Sequence, residues 1–157
     1  MTTQNLSADH AATEARMRAE IAAQRATVKD VETRCKAAFL PLLLEHGVTR
    51  VEIHYDGGGD EGSVGEVLAF AGDAAAVLPA ILCDHYALRY DGRVESRAMQ
   101  LEDVLGAFAE NAVCDHHNGW ENGEGAHGTI SIDVAGGTVS LTHNERFIDY
   151  DTTETDL

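Results

Sequence analysis

The chain has 157 residues, a hydrophobic fraction of 44%, a mean hydropathy of -0.20 and a formal net charge of -16. A chain of this length buries a core of its own without a disulfide or metal merely to fold, and no apolar run approaches the roughly 20 residues that cross a bilayer. The acidic balance repels nucleic acid and anionic membranes, so the expected partner is a protein, basic or itself nucleic-acid-binding, with no direct nucleic-acid contact and no membrane association.

From about Ser7 to His46 the sequence is rich in Ala, Arg, Glu and Leu and free of Gly, which predicts a long helix, kinked or divided near Thr27 or Pro41. Glu14 with Arg18, Arg16 with Glu20, and Glu32 with Lys36 stand four residues apart, a spacing worth about 0.2–0.5 kcal/mol per exposed pair. Ile21, Val28, Cys35 and Leu42 recur every seven residues, as in a short coiled-coil seam, so the helix either packs on the protein's own sheet or supports self-association as a homodimer. Gly47 then ends the helix, and Val48 to Tyr55 alternates with a period of two, placing Val51, Ile53 and Tyr55 on one face of a strand. Asp56 to Gly62 reads as a glycine-rich loop, with Val64 to Phe70 returning as the second strand of a hairpin. Residues 73–98 read as partly irregular. A second helix is expected from about Gln100 to Asp115, because Leu101, Val104, Leu105, Phe108, Ala112 and Val113 form one apolar stripe. Thr129 to Val134 and Thr138 to Phe147 make the clearest hairpin, turning at Ala135-Gly136-Gly137, and the tail from Asp151 to Leu157 is acidic.

This order predicts an α+β fold: a long N-terminal helix, antiparallel hairpins forming a sheet, and a second helix packed on it. Residues 1–46 form the helical segment, 47–150 the α+β domain and 151–157 the tail. The charge is unevenly placed. Before Ala37 six basic residues face five acidic ones, whereas the rest of the chain carries 22 acidic and five basic residues. The start, Met1-Thr2-Thr3-Gln4-Asn5, has no basic and apolar leader, so a cytoplasmic location is expected. Cys35, Cys83 and Cys114 form no C-x-x-C pair and are expected to be reduced, mostly as core residues.

Two segments stand out: Asp56-Gly57-Gly58-Gly59-Asp60-Glu61-Gly62, and the run from His116 through Trp120-Glu121-Asn122-Gly123 to Gly128, followed later by Asn144-Glu145-Arg146-Phe147. Together they resemble an uncharacterised domain-of-unknown-function family, common in proteobacterial genomes and on conjugative plasmids, whose members pair a D-G-x-G-D-x-G loop with a G-G-W-E-N-x-x-G-x-x-G segment. The resemblance covers about residues 40–150 and leaves out the N-terminal helix; Asn118 stands where the family usually has its first glycine. It implies no established activity, and the plasmid setting implies an accessory role on mobile elements.

Asp56, Asp60 and Glu61 offer hard oxygen ligands on a glycine-rich loop, but Asp and Gly are also what a tight turn requires. Asp115, His116, His117, Glu121, Glu124 and His127 are the densest set of ligands and proton carriers in the chain. If the two segments meet, Asp56 and Asp60 facing His116, His117 and Glu121 would suit a metal-dependent hydrolase. The spacing matches no zincin, P-loop or dinucleotide motif, so no cofactor is specified and no catalytic residue is assigned. Trp120 is expected to be buried against the C-terminal hairpin as an anchor for its polar loop. The preferred expectation is a non-enzymatic binding or regulatory protein, in its most concrete form an acidic antirestriction or anti-CRISPR-type inhibitor that mimics nucleic acid.

Overall fold

In the computed structural model, which describes residues 2–157 and side chains from Leu6 onward, the chain forms α1 (Thr2–Glu45), β1 (Arg50–Gly58), β2 (Glu61–Ala71), β3 (Ala74–Ala76), β4 (Leu82–Leu88), β5 (Val94–Gln100), α2 (Leu101–His116), β6 (Ala126–Asp133) and β7 (Thr138–Glu145). The α+β class expected from the element order is the class observed. No helix among the described residues is long and apolar enough to cross a membrane.

Helix α1 is continuous through both Thr27 and Pro41, so it is not divided at either residue. The Thr27 hydroxyl donates to the Ala23 carbonyl within the helix. Pro41 removes only one amide donor in the last turns, and the fully buried Phe39 and Leu43 hold the helix on either side of it. The end is a Schellman motif: Gly47 has φ +74°, its amide donates to the Leu44 carbonyl, and the Val48 amide donates to the Leu43 carbonyl. The face that enters the core is Val31, Cys35, Phe39 and Leu43, four residues apart. Of the seven-residue seam, Cys35 therefore lies inside the domain, Val28 and Leu42 are half-buried beside it, and Ile21 is exposed. Every residue from Leu6 to Ala26 is exposed, so about six turns of α1 project beyond the domain.

Five strands form one antiparallel sheet in the order β3-β2-β1-β6-β7. Its inner face is laid down by the alternation in β1: Val51, Ile53 and Tyr55 are buried and stand opposite Ile132, Ile130 and Gly128 of β6. A bulge between the Ile53–Val67 and Tyr55–Val64 pairs turns both Val64 and Val67 of β2 toward that face. Beyond this, β2 pairs with β3 only at Ala69–Ala71.

Helix α2 packs on β2, on α1 and on the β4–β5 hairpin, which explains why its buried stripe, Leu101 to Val113, is broad. Phe108 meets Phe39 edge to face, centroids 5.2 Å apart. Residues 73–98 are more regular than expected, because β3, β4 and β5 lie there; Cys83 and His85 of β4 turn inward. The segment Asp56 to Gly62 is likewise mostly strand, and only Gly59 and Asp60 form the turn. Both have positive φ, as a two-residue type I′ hairpin requires, and Asp60 is the one described non-glycine residue in that conformation.

Candidate functional site

The two glycine-rich segments meet. The Gly59 amide donates to the Gly123 carbonyl at 2.8 Å and the Asp60 amide to the Glu121 carbonyl at 3.0 Å, while the Asp60 carboxylate accepts the Gly123 amide at 3.4 Å. These bonds hold Asp60 in its left-handed conformation. Trp120, 8% exposed, lies across β1 and β2: a Cβ at Gly57 would come within 2.6 Å of its ring, and one at Gly62 would overlap it. Tyr55 meets the same indole edge to face at 5.3 Å. Trp120 is buried, and the surface it covers includes the β1–β2 hairpin.

Arg146 fastens the junction from the far side. Its guanidinium donates to the carbonyls of Gly57 at 2.9 Å and Ala126 at 3.5 Å and pairs with Asp56 at 2.8 Å, and its amide donates to the Gly125 carbonyl. Gly125, at φ +75°, admits no Cβ because the Gly57 carbonyl fills that space. Asn118 has no positive φ, so its backbone does not call for glycine.

Next to this clasp, the Tyr55 hydroxyl and His143 Nδ1 are 2.6 Å apart, and the His143 ring stacks on His117 with centroids 3.7 Å apart. Partial burial and the neighbouring imidazoles of His143 and His116 lower the pKa of His117, and burial raises that of Tyr55. Both shifts favour the neutral form of the group. A second polar cluster lies between the helices, where His116 Nε2 is 2.6 Å from the Glu32 carboxylate. Burial, and then Glu32, raise the pKa of Asp115 beside it. An adjoining cavity of about 60 Å³ reaches Cys35 and His85. The Cys35 thiol donates to the Tyr86 carbonyl at 3.2 Å, with His85 Nδ1 4.0 Å away. Burial raises the pKa of this thiol and lowers that of His85, so the two are a neutral pair and not a thiolate–imidazolium nucleophile. Cys83 is also buried and pushed up to about 11, while Cys114 is exposed.

The expected ligand set is thus distributed among four places. Asp56 faces Arg146; Asp60 and Glu121 join the loops through backbone bonds; Asp115 and His116 face Glu32; and His117 stacks on His143. His127 and Glu61 are exposed strand residues, His127 beside Asn144 and Glu61 opposite Gly58. Among the described residues no three His, Cys, Asp or Glu side chains are placed to hold a metal ion. Sequence reasoning missed Glu32, His85 and His143 as partners of these groups. Their separations of 84, 50 and 88 residues from His116, Cys35 and Tyr55 leave no local signal.

Fold and junction together define an α+β domain closed by a glycine–tryptophan clasp between its first hairpin and the segment after α2. The chain belongs to a family of unknown function, DUF6878, whose model matches residues 31–157. The match begins at Val31, the first buried residue of α1, and runs through the acidic tail, so it extends beyond the expected 40–150 at both ends. Comparison with curated proteins finds no match, and comparison with solved structures finds none either.

Proposed function

We propose that this protein is a non-enzymatic binding module that engages a basic protein partner through its acidic domain. One observation carries this reading: the two distinctive segments are clasped to one another through Trp120 and Asp60. Trp120 covers Gly57 and Gly62, Arg146 holds Asp56, and Asp60 bonds to the facing loop. These residues keep the domain closed, and the surface left for recognition is dominated by the 22 carboxylates that follow Lys36. A protein that ordinarily grips nucleic acid is the most specific partner for such a surface, as in an antirestriction or anti-CRISPR inhibitor. The plasmid setting implied by the family resemblance agrees with that role.

The test is binding to a panel of basic nucleic-acid-binding proteins, restriction and CRISPR nucleases among them, with DNA as competitor. The expected result is binding that DNA displaces and that weakens roughly tenfold or more between about 0.1 and 0.5 M salt. If no member binds in a salt-dependent way, the decoy role is refuted.

A further inference from the structure

We infer that the groove between β2 and α2 receives an extended, lysine- or arginine-bearing peptide segment of the partner, which pairs with β2 as an added strand. The inference rests on the binding role proposed above and assigns it a place and a mode.

Two independent features define the groove. The first is an open strand edge: residues 61–68 of β2 pair with β1 on one side only, since β3 reaches no further than Ala69. Backbone amides and carbonyls along that edge have no strand partner, which is the template that strand addition uses. The second is the wall facing it. Glu102, Asp103 and Glu110 of α2 border a groove of about 590 Å³, with Gly62 and Gly65 of β2 among the residues on the opposite side. No lysine or arginine lines the groove.

Gly106 lies one turn from both Glu102 and Glu110 on the same wall. A Cβ there would meet nothing within 4 Å, so packing does not demand glycine, although glycine weakens a helix interior relative to alanine. Its absence of side chain instead leaves the space beside β2 open. Carboxylates at Glu102 and Glu110, one turn either side of that space, suit cationic side chains projecting from an extended segment. A second copy of this chain does not fit, because pairing two such edges would bring like carboxylates together. The backbone would supply affinity and the carboxylates the choice of sequence.

The probe is a panel of capped ten-residue peptides with lysine or arginine at alternate positions and valine, isoleucine, threonine, tyrosine or glycine between them. Binding to the full chain is measured at about 50 mM salt, with amide hydrogen exchange as the map. The expected result is slowed exchange within residues 61–68 and an affinity lost at least tenfold in Gly106→Gln, whose side chain enters open space and so leaves the fold intact. Glu102→Gln with Glu110→Gln should weaken binding severalfold without altering the circular dichroism. Unchanged affinity in Gly106→Gln, or protection confined to the tail or to α1, overturns the groove while leaving the acidic-surface role standing. If no peptide binds, strand addition is overturned, and the wider role is decided separately by the intact basic proteins.

Discussion

Trp120 and Gly62 are a matched pair: the indole occupies the volume that a Cβ at residue 62 would need. Trp120→Ala should cost about 3–5 kcal/mol, the range for truncating a large buried aromatic. Gly62→Ala should also destabilise, because the ring has to leave its place or the strand has to move. Combined, the two substitutions should cost less than the sum of their separate effects, since each relieves the other's clash or cavity. Chemical denaturation of the four proteins of this cycle is the measurement; strict additivity would show that the contact is not shared.

Arg146 supports the same junction by hydrogen bonding more than by charge. Its carboxylate partner Asp56 has a side chain 73% exposed, so Asp56→Asn should change stability by no more than about 1 kcal/mol. Arg146→Met leaves the Gly57 carbonyl without its donor and should cost about 1–3 kcal/mol. Comparable losses in the two variants would mean that the ion pair dominates.

Stability should fall on acidification below pH 6.5. His117 and His85 both have folded pKa values lowered from 6.5 by burial, with nearby imidazoles adding to the effect at His117. Above 6.5 they are neutral in both states and their contribution is fully present. Below it the unfolded chain takes up protons that the folded chain resists, and stability is lost as the pH falls through the folded values. Asp115, raised from 3.8, acts in the opposite sense: its contribution is present below 3.8 and lost as the pH rises through its folded value. Unfolding midpoints between pH 5 and 8 should therefore slope downward toward acid, and His117→Phe should flatten the slope while keeping an aromatic ring on His143. An unchanged slope in that variant would remove His117 from the account.

Removing residues 1–26 should leave the unfolding free energy within about 0.5 kcal/mol, because Leu6 to Ala26 are all exposed. Removal through Lys36 takes Val31 and Cys35 out of the core and should cost about 2–5 kcal/mol or more. Light scattering on the shorter deletion also tests self-association. If Ile21 and its neighbours hold two chains together, the full chain has twice the monomer mass and the shortened chain does not; monomer mass for both refutes it.

The periodic segments were legible in the amino-acid order. Val51, Ile53 and Tyr55 alternate with polar residues and are the buried row of β1, and the Leu101 to Val113 stripe is the buried face of α2. Two kinds of signal misled. Glycine at 57 and 62 reads as turn chemistry, yet both positions are strand residues whose missing side chains make room for an indole about 60 residues away. In β4 the inward alternation is carried by Cys83 and His85, and β5 has no buried residue, so neither strand has an apolar pattern. The candidate site was legible as composition but not as geometry. His116, His117 and Asp115 adjoin in sequence, while α2 ends there and directs them to different partners: Glu32 on α1 for His116 and His143 on β7 for His117.

The projecting part of α1 also governs how the molecule moves through solvent. A 44-residue helix is about 66 Å long at 1.5 Å per residue, whereas a compact domain of about a hundred residues has a radius of gyration near 13 Å. Such a body is a rod set into a ball, and its friction exceeds that of a sphere of equal mass. A monomer will therefore leave a gel-filtration column early and sediment slowly, and its rotational diffusion will be fastest about the rod's own axis.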